Sequence, residues 1–568
     1  MNIIGLHNDA DSGVCLMVDG EIVEAVNEER FSRTKLFSGF PDHCLRYVLD
    51  KYGMKLVDVD YFVYGWYGRQ NDYPKYIRKL TARLIEALKG TPQAAEVITQ
   101  RVNSEFERDE VTRSEFEQYM RSLGVDESRV IYLDHHASHA WSAFATSPFD
   151  EAFVFTFDGR GDLKAASASF ASIENGVTEC DSLLSFDSLG FLYGQITDYL
   201  GFKFHRHEGK VTGLAALGNS SRTLPIFQEL ISWNGDSIIS DLGKYKPFYT
   251  NRYPELDAKL STHSPEDIAA GLQDHCESLV VKYVTHWIEK IAKPHVRNVC
   301  LAGGLFGNVK INQRVLEVQG IDNIYVFPHM GDGGLSVGAA CQLHHRLTGK
   351  AKVGLETVYM GPEYDDDQVL EALSESGANL IWTKLNDLVE ETVNDLVAEK
   401  VVGFFQNRME YGPRALGARS ILYHTRDRSV NTWLNDRLRR TEFMPFAPVT
   451  PEDYAAECYL NWKPELKCAQ LMTITFNCKK EFANRHPAVV HVDGTARPQV
   501  VTERLHGDYY LVVKGYCDRT GEQALINTSF NAHEEPIVCS PKDAIESIQQ
   551  GMVDVLILGN YRVVRSES

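Results

Sequence analysis

Cysteine is sparse and irregularly placed in this sequence of 568 residues. Its 11 cysteines are odd in number and include no C-x-x-C pair, which argues against a disulfide framework and favours a reducing compartment. Long apolar runs are also missing: none approaches the roughly 20 residues that span a bilayer. The first residues lack the basic region and apolar core of a signal peptide. We therefore expect a cytoplasmic protein that does not enter a membrane.

Basic residues are also few relative to acidic ones. The 58 Lys and Arg residues against 78 Asp and Glu residues give a formal net charge of -20. Nucleic-acid binding depends on phosphate neutralisation by basic side chains, so this balance argues against nucleic acid as the main partner. The hydrophobic share of 43% and the charged share of 24% are ordinary for a globular protein. The length predicts roughly three to four domain-sized units.

The first half of the chain contains a weak internal repeat. Residues 2–6 are predicted as a strand, followed by a polar loop and by two strands joined at Asp19-Gly20, a strong hairpin signal. The order recurs from residue 152, with an acidic-glycine loop that includes Gly159 and a hairpin around Asn175-Gly176. Either these are two unrelated hairpins, or the pattern resembles the duplicated plan of the actin and sugar-kinase ATPases, whose two loops face a nucleotide phosphate.

A third segment supports the duplicated plan. The apolar strand 298–301 precedes a turn in which Gly303 and Gly304 would let the backbone approach a nucleoside closely, with Asn308 shortly after them. The segment 331–334 then opens a predicted helix, and the start of a helix favours anions. We therefore predict that these glycines lie near a nucleotide.

Residues about 70–125 interrupt this pattern. Four apolar residues there share one helical face, and the following stretch is heavily charged. A helical insertion is predicted, which would act as a dimer or lid element or else form a solvated helical hairpin. A connector near residues 350–365 leads to a second α/β region. Its predicted strands are 401–405, 509–513, 524–526 and 555–558.

Two histidines one helical turn apart are candidate metal ligands. His135 and His139 have i, i+4 spacing, so both would face one direction of a helix. Asp158 and Asp332 lie where apolar segments end, and a carboxylate there is costly unless it is paired or coordinated. Together they form a His2Asp2 set suited to Fe(II), Mn(II) or Zn(II). His136, on another face, is predicted to support the site or to contact a ligand.

Charged residues in glycine-rich surroundings indicate ligand-binding loops. Glu208 and Lys210 flank a glycine and suggest a loop that closes over substrate, although an ordinary surface loop fits the spacing equally well. In the second half, arginines recur in the Gly-Pro segment 408–420 and at Arg440 and Arg497. Because guanidinium groups suit phosphate and carboxyphosphate, we predict a phosphate-type ligand there.

In combination and order, these segments make the chain resemble the O-carbamoyltransferases, the family of the nodulation-factor and nebramycin-type antibiotic enzymes. The resemblance covers nearly the whole chain. The segments that carry it are 28–33 (EERFSR), 135–140 (HHASHA), 158–159 (DG), 188–190 (SLG), 208–210 (EGK), 331–333 (GDG), 408–417 (RMEYGPRALG), 445–448 (PFAP), 493–497 (DGTAR) and 527–531 (NTSFN).

The resemblance implies an α/β fold in two parts. Residues 1–354 would form an actin/sugar-kinase-like duplicated domain similar to the tRNA threonylcarbamoyl transferases, and residues 355–568 a YrdC-like α/β domain. The second part would make carbamoyl-adenylate from carbamoyl phosphate and ATP, with Mg2+. The first would transfer the carbamoyl group to a hydroxyl of a small molecule such as a natural product, a sugar or a nucleoside. A homodimer is compatible with this arrangement.

The resemblance also implies roles for particular residues. By motif position, Fe(II) or another divalent metal would be held by His135, His139, Asp158 and Asp332. The implied positions for binding ATP and carbamoyl phosphate are Gly159, Glu208, Lys210, Gly303, Gly304, Asn308, Arg414, Arg440, Arg497, Ser529 and Asn531.

The first loop departs from the family pattern. Many members carry a histidine there as a candidate base, where this chain has Asn8. His7, Asn8 and Asp9 are therefore the catalytic candidates, together with Lys35. The identity of the base stays open: His7, Asp9 or Asp11 would take the proton, or deprotonation would rely on the metal and on a more acidic hydroxyl. Members also commonly have arginine at the position of Met444. Two alternative functions remain: a tRNA threonylcarbamoyl transferase-like enzyme and a non-catalytic nucleotide-binding protein.

Overall fold

The computed structural model describes residues 1–67, 74–248, 250–377, 379–441 and 444–566. The chain forms two compact units, one made of Met1–Val23 and Ser38–Gly354 and the other of Glu24–Phe37 and Leu355–Ser568. The functional division at residues 354/355 stays a prediction, and the structure adds that Glu24–Phe37 packs with the residues after 354.

Residues 1–354 form strands and helices in alternation. The strands are β1 (Asn2–His7), β2 (Gly13–Val18), β3 (Glu21–Asn27), β4 (Tyr61–Tyr64), β5 (Val130–Tyr132), β6 (Glu151–Gly161), β7 (Lys164–Ser172), β8 (Gly176–Leu184), β9 (Ile231–Trp233), β10 (Ile238–Ser240), β11 (Asn298–Ala302) and β12 (Asn323–Val326). The helices are α1 (Glu29–Ser32), α2 (Asp42–Lys51), α3 (Pro74–Gly90), α4 (Pro92–Ser122), α5 (His135–Thr146), α6 (Leu189–Tyr199), α7 (Glu208–Ala215), α8 (Leu224–Gln228), α9 (Pro254–Leu260), α10 (Pro265–Ile291), α11 (Val309–Leu316) and α12 (Leu335–Thr348).

Two sheets of the same topology confirm the predicted duplication. The first has the order β3-β2-β1-β4-β5 and the second the order β8-β7-β6-β11-β12. In each, the first strand of the repeat pairs antiparallel with its hairpin and parallel with the next strand along the sheet. Asp19 and Gly20 both have positive φ, 52° and 91°, as a tight hairpin turn requires. The first unit is thus the duplicated actin/sugar-kinase-like fold.

The insertion consists of α3 and α4, and residues 70–73 of the predicted range lie outside the described part of the chain. One charged face of α4 is buried, with Arg101, Glu105 and Asp109 only 5%, 2% and 3% exposed. The alternative of a solvated hairpin is therefore wrong for this face. The sequence pattern misled because charged side chains usually lie in solvent, whereas these pair with one another or with the body of the unit.

Residues after 354 form an α/β unit around one mixed sheet. Its strands are β13 (Leu380–Lys384), β14 (Val402–Phe405), β15 (Arg419–Tyr423), β16 (Ala447–Pro451), β17 (Phe476–Asn477), β18 (Thr495–Ala496), β19 (Gln499–Val501), β20 (Leu525–Ser529), β21 (Val555–Leu558) and β22 (Tyr561–Arg565). Its helices are α13 (Asp366–Glu375), α14 (Leu388–Val397), α15 (Val430–Arg437), α16 (Glu452–Cys458), α17 (Lys480–Arg485), α18 (Glu503–His506), α19 (Asp508–Thr520) and α20 (Pro541–Gln549). The main sheet has the order β13-β22-β21-β14-β15-β20-β16-β19.

The predicted strand 509–513 is wrong, because these residues lie in α19. Tyr509, Val512, Val513 and Tyr516 are buried at helical spacing, and they pack into the core beside β14. A short apolar run cannot be assigned to strand or helix by periodicity alone. The other three predicted strands of this region correspond to β14, β20 and β21.

The remaining expectations about composition concern cysteine and membranes. All eleven cysteines are described and all are free thiols, ten of them buried or half-buried. Among the described residues, no helix combines the length and hydrophobicity needed to cross a bilayer.

Candidate functional site

The four predicted metal ligands lie together in the first unit. His135 Nε2 is 3.2 Å from Asp158 Oδ2 and 3.5 Å from Asp332 Oδ1, and His139 Nε2 is 3.3 Å from each of the same two oxygens. One donor atom from each residue lies within 4.8 Å of all the others. Two nitrogens and two oxygens thus converge on one small space.

Local structure fixes the positions of these candidate ligands. Asp134 caps α5 by accepting a hydrogen bond from the Ala137 N–H at 2.8 Å, which orients both histidines. The backbone N–H of His135 donates to Asp162 Oδ2 at 2.7 Å. Asp158 Oδ1 accepts from the backbone N–H groups of Gly159 and Gly304, at 2.8 and 3.1 Å, which leaves Oδ2 facing the histidines.

The electrostatics of the cluster fit a divalent cation. Burial lowers the pKa of His135 to about 4, whereas Asp158 and Asp332 outweigh burial and raise the pKa of His139 to about 9. Burial and the charge of Asp158 raise the pKa of Asp332. The buried Oδ1 of Asp332 has no hydrogen-bond donor among the described residues. Two carboxylates this close need a proton or a cation between them, and the donor set is one that divalent metals accept.

His136 lies beside the cluster, with its ring centroid 5.4 Å from that of His135. Its Nδ1 atom is 2.7 Å from Thr156 Oγ1, its ring is fully buried, and burial lowers its pKa well below the usual value. The ring is therefore a neutral part of the core beside the cluster, and its supporting role stays a prediction.

The first loop differs in accessibility from residue to residue. His7 is fully buried with Nε2 3.1 Å from the Ala10 carbonyl oxygen, and burial lowers its pKa to about 4. Asn8 accepts a hydrogen bond from the Tyr64 hydroxyl at 2.6 Å. The side chain of Asp9 is 15% exposed and ion-paired with Arg108 at 2.9 Å. Asp11 is exposed to a similar degree, 16%, and its Oδ2 lies 3.3 Å from His329 Nε2. A hydroxyl could therefore reach Asp9 or Asp11 but not the buried His7, and we take Asp9 forward as the candidate base.

The predicted nucleotide residues of the first unit have mixed surroundings. Gly303 has φ 102°, and a Cβ there would clash with the Phe157 carbonyl, so this position needs glycine. Asn308 caps α11 and donates to Gln273 Oε1 at 2.8 Å. Glu208 and Lys210 begin helix α7 rather than forming a closing loop, so the loop prediction is wrong. The intervening Gly209 misled, because a glycine is tolerated within the first turn of a helix.

In the second unit, Arg414 and Arg497 are neighbouring arginines of the predicted anion site. Arg414 lies between β14 and β15 and Arg497 between β18 and β19. Burial lowers the pKa of Arg414 to about 10. Burial and the neighbouring Arg414 charge lower the pKa of Arg497 well below its usual range. The buried Nη1 of Arg497 has no acceptor among the described residues.

A buried amide, which sequence reasoning missed, ties these arginine segments together. Gln499 Nε2 donates to the Leu416 carbonyl at 2.6 Å, and its Oε1 accepts from Asn527 Nδ2 at 2.7 Å. Asn527 also donates to the Ala415 carbonyl at 3.1 Å. Gln499 thus joins the segments that carry Arg414 and Arg497 to β20. The motifs name the arginines, and no local signal marks the glutamine.

Arg440, Ser529 and Asn531 lie together beside β20. Arg440 donates to Thr528 Oγ1 at 2.7 Å, to the Ser529 carbonyl at 2.6 Å and to the Asn531 carbonyl at 2.9 Å. Protein acceptors therefore occupy much of its guanidinium, which shapes the 528–531 segment. Lys35 lies in this second unit, where burial lowers its pKa despite the opposing charge of Glu29.

The other arginines of the Gly-Pro segment bind protein groups. Arg408 pairs with Glu24 at 2.6 Å and donates to the Met360 carbonyl. Arg419 is fully buried, lies 3.6 Å from the Phe405 ring centroid and donates to the Gln406 carbonyl at 2.8 Å. These two residues hold the fold and are not available to a phosphate.

Both halves of the chain match a described protein family. The family Carbamoyltransferase N-terminus matches residues 2–341, and Carbamoyltransferase C-terminus matches residues 393–565. The nodulation protein NolNO of Sinorhizobium fredii is 30% identical over 97% of this chain and 78% of that protein. Uncharacterized protein MJ1051 of Methanocaldococcus jannaschii is 29% identical over 99% of each chain. Nodulation protein U of Rhizobium tropici is 25% identical over 98% of this chain and 94% of that protein.

Proposed function

The chain belongs to the carbamoyltransferase family and is a carbamoyltransferase, and on that premise we propose that it is an ATP-dependent O-carbamoyltransferase that works through carbamoyl-adenylate. The observation that carries the adenylate step is the pair Arg414 and Arg497. Two guanidinium groups lie close enough for one charge to depress the pKa of the other. Such a pair favours an anionic ligand between or beside them.

In the first proposed half-reaction, carbamoyl phosphate and ATP bind to the second unit. To balance the atoms, water hydrolyses carbamoyl phosphate to carbamate and inorganic phosphate. A carbamate oxygen then attacks the α-phosphorus of ATP. Pyrophosphate then leaves and carbamoyl-adenylate remains. Arg414 and Arg497 would bind the phosphate groups, and Mg2+ would be the counterion of the ATP phosphates. Arg440 would keep Ser529 and Asn531 in place.

In the second proposed half-reaction, an acceptor hydroxyl attacks the carbamoyl carbon in the first unit and AMP leaves. A divalent metal such as Fe(II), held by the His2Asp2 cluster, would polarise the carbonyl as a Lewis acid. Asp9 would take the hydroxyl proton. The adenylate would be surrounded by Gly159, Glu208, Lys210, Gly303, Gly304 and Asn308. Cytoplasmic localisation and a homodimer belong to the same proposal.

The adenylate step is tested by carbamoyl phosphate-dependent exchange of labelled pyrophosphate into ATP, which needs no acceptor. Arg497→Ala should lower exchange by at least about 100-fold, since a clamp on the reacting anion supplies positioning and charge together. Arg519→Ala is the matched control, because Arg519 is a half-exposed arginine of the same unit that pairs with Glu390 on the surface. Exchange within twofold of the unaltered protein in Arg497→Ala would contradict the assignment.

The acceptor is tested separately with labelled carbamoyl phosphate and a panel of hydroxyl compounds. Aminoglycosides, chitooligosaccharides, nucleosides and total tRNA cover the small-molecule acceptors and the tRNA alternative. We expect label in a small molecule, because the formal net charge of -20 disfavours tRNA. Label confined to tRNA would replace the proposed acceptor class.

A further inference from the structure

Helix α4 of the insertion binds two different segments of the first unit through consecutive residues. Arg108 Nη2 lies 2.9 Å from Oδ2 and 3.2 Å from Oδ1 of Asp9, which follows β1. The next residue, Asp109, places Oδ1 2.8 Å from Nη1 of Arg160 in β6. Because β1 and β6 begin the two halves of the duplicated fold, these adjacent side chains connect the signature loops of both halves.

The Asp109–Arg160 pair is buried and leads towards the metal-ligand cluster. The two side chains are 2% and 5% exposed. The Arg160 guanidinium lies 5.3 Å from the Trp66 ring centroid, and Trp66 meets the His135 ring edge-on at 4.5 Å. Burying an ion pair costs much of what the attraction returns, so stability alone does not explain it. Its place in this series of contacts indicates that it fixes Arg160 and Trp66 beside the cluster.

The Arg108–Asp9 pair is of the opposite kind. The Arg108 side chain is 48% exposed, so the pair contributes little to stability. It does restrain the Asp9 carboxylate, whose Oδ1 also accepts from the Ala10 backbone N–H at 2.8 Å and from Ser38 Oγ at 3.3 Å. Arg108 thus completes a set of contacts that fixes both the side chain and the backbone of the first loop.

Helix α3 adds a contact of the same kind. The Tyr76 hydroxyl donates to Asp134 Oδ2 at 2.6 Å, and Asp134 is the residue that caps α5. The buried Lys164 ammonium holds Asp134 Oδ1 at 2.8 Å. Both helices of the insertion therefore contact residues that orient the site, which gives the insertion a role other than that of a surface addition.

We propose that Arg108 and Asp109 are positioning residues for carbamoyl transfer, which hold the first loop and the Arg160 segment in a fixed arrangement beside the His2Asp2 cluster. The kinetic part of this inference rests on the proposed function. The structural part, restraint of the first loop by Arg108, does not depend on it.

The experiment compares full-length Arg108→Ala, Arg108→Lys and Arg121→Ala with the unaltered protein. Amide hydrogen exchange is followed at residues 8–12, where the Ala10 amide binds Asp9. Transfer to an acceptor found in the panel is measured beside pyrophosphate exchange. Arg121→Ala is the control, because Arg121 lies on the same helix and pairs with the exposed Glu127 at 2.8 Å.

Arg108→Ala should speed amide exchange at residues 8–12 and lower kcat for transfer by about 10- to 100-fold, as expected for a misplaced reacting group. Pyrophosphate exchange and the acceptor KM should stay within twofold. Arg108→Lys should restore both properties, since a single nitrogen of Arg108 makes both contacts with Asp9. Arg121→Ala should behave like the unaltered protein.

Unchanged amide exchange or unchanged transfer in Arg108→Ala overturns the inference. A protein without pyrophosphate exchange would contradict the proposed function, while amide exchange would still decide whether Arg108 restrains the loop. Asp109→Asn provides a second variant, with near-UV circular dichroism to establish that it folds. In a folded Asp109→Asn protein, transfer should fall at least as far as in Arg108→Ala, and full activity would overturn the role of Asp109.

Discussion

At the scale of single residues, the candidate metal ligands are oriented by specific hydrogen bonds from neighbouring residues. Asp158 presents Oδ2 to the histidines because Gly159 and Gly304 bind Oδ1 through their backbone N–H groups. The fixed carboxylate then meets His139, whose ring is fully buried. Removing the imidazole would leave a cation bound here with three protein ligands. It would also remove a group that offsets the repulsion between the Asp158 and Asp332 carboxylates.

We expect His139→Ala to lose the divalent metal that the cluster is proposed to hold. The affinity should fall by more than the roughly 10- to 100-fold typical of losing a supporting residue, because a direct ligand is removed. Metal analysis by mass spectrometry after dialysis measures the loss. His275→Ala is the control: His275 is also buried, 3% exposed, but it binds the Ile231 carbonyl at 2.9 Å and, within the described part of the chain, no carboxylate. A full equivalent of metal in dialysed His139→Ala would refute the ligand assignment.

The ligand candidates could be predicted because their signals are local. The i, i+4 spacing of His135 and His139 and the carboxylate that follows an apolar run are visible within a few residues. The predicted strand end at Asp158 is wrong, because β6 continues to Gly161. The supporting groups could not, because Asp162, Gly304 and Gln499 act across segments that the sequence does not show to be adjacent. Arg419 failed in the opposite sense: its motif suggests a phosphate, but in the fold its guanidinium binds backbone carbonyls.

Among secondary-structure elements, the approach of α5 to α12 determines where the histidines lie. A Cβ at Gly338 of α12 would clash with the backbone carbonyl of Ser138 in α5. Ser138 lies directly before His139, so any separation of the helices moves a candidate ligand. The glycine is therefore a packing requirement of the site rather than a flexible position.

Gly338→Ala should destabilise the protein by about 1–3 kcal/mol, the usual cost of overpacking a tight contact. Metal affinity should fall with it, because α5 must shift. Thermal unfolding with and without metal measures both effects. Gly209→Ala in α7 is the control, since none of the described residues has an atom within 4 Å of a Cβ there. This variant should be neutral or more stable by up to about 1 kcal/mol. Equal melting temperatures for the two variants would refute the packing argument.

The accuracy of the predicted elements followed the strength of the local signal. The hairpins at Asp19-Gly20 and Asn175-Gly176 were predictable because turn chemistry is a property of two residues. The run 509–513 was not, because apolar residues that pack on a sheet can belong to a strand or to a covering helix. The burial of Arg101, Glu105 and Asp109 could not be foreseen, since it depends on partners elsewhere in the chain.

In the whole molecule, the duplication could be predicted and the path of the chain between units could not. Repeated strand–loop–hairpin order specifies the two sheets of the first unit. The segment Glu24–Phe37 carries a family motif, yet nothing in its composition assigns it to the unit formed by residues 355–568. Its contacts do so: Arg30 donates to the Gly412 carbonyl at 2.9 Å and Arg33 to the Ile537 carbonyl at 2.8 Å.

These contacts predict that a fragment of residues 355–568 will not form a stable native unit alone. The fully buried carboxylate of Glu24 pairs with Arg408 at 2.6 Å, so the fragment lacks the partner of that arginine. It also lacks Arg30 and Arg33, which donate hydrogen bonds to its backbone carbonyls. Adding a synthetic peptide of residues 24–37 should raise the melting temperature in proportion to occupancy, because a ligand that binds only the folded state stabilises it. A scrambled peptide of the same composition should have no effect. If the fragment alone unfolds cooperatively and the peptide does not change its melting temperature, the segment is an accessory to this unit. If only the native peptide raises the melting temperature, the second unit is built from two separate stretches of the chain. Residues 355–568 then cannot complete it without the N-terminal segment.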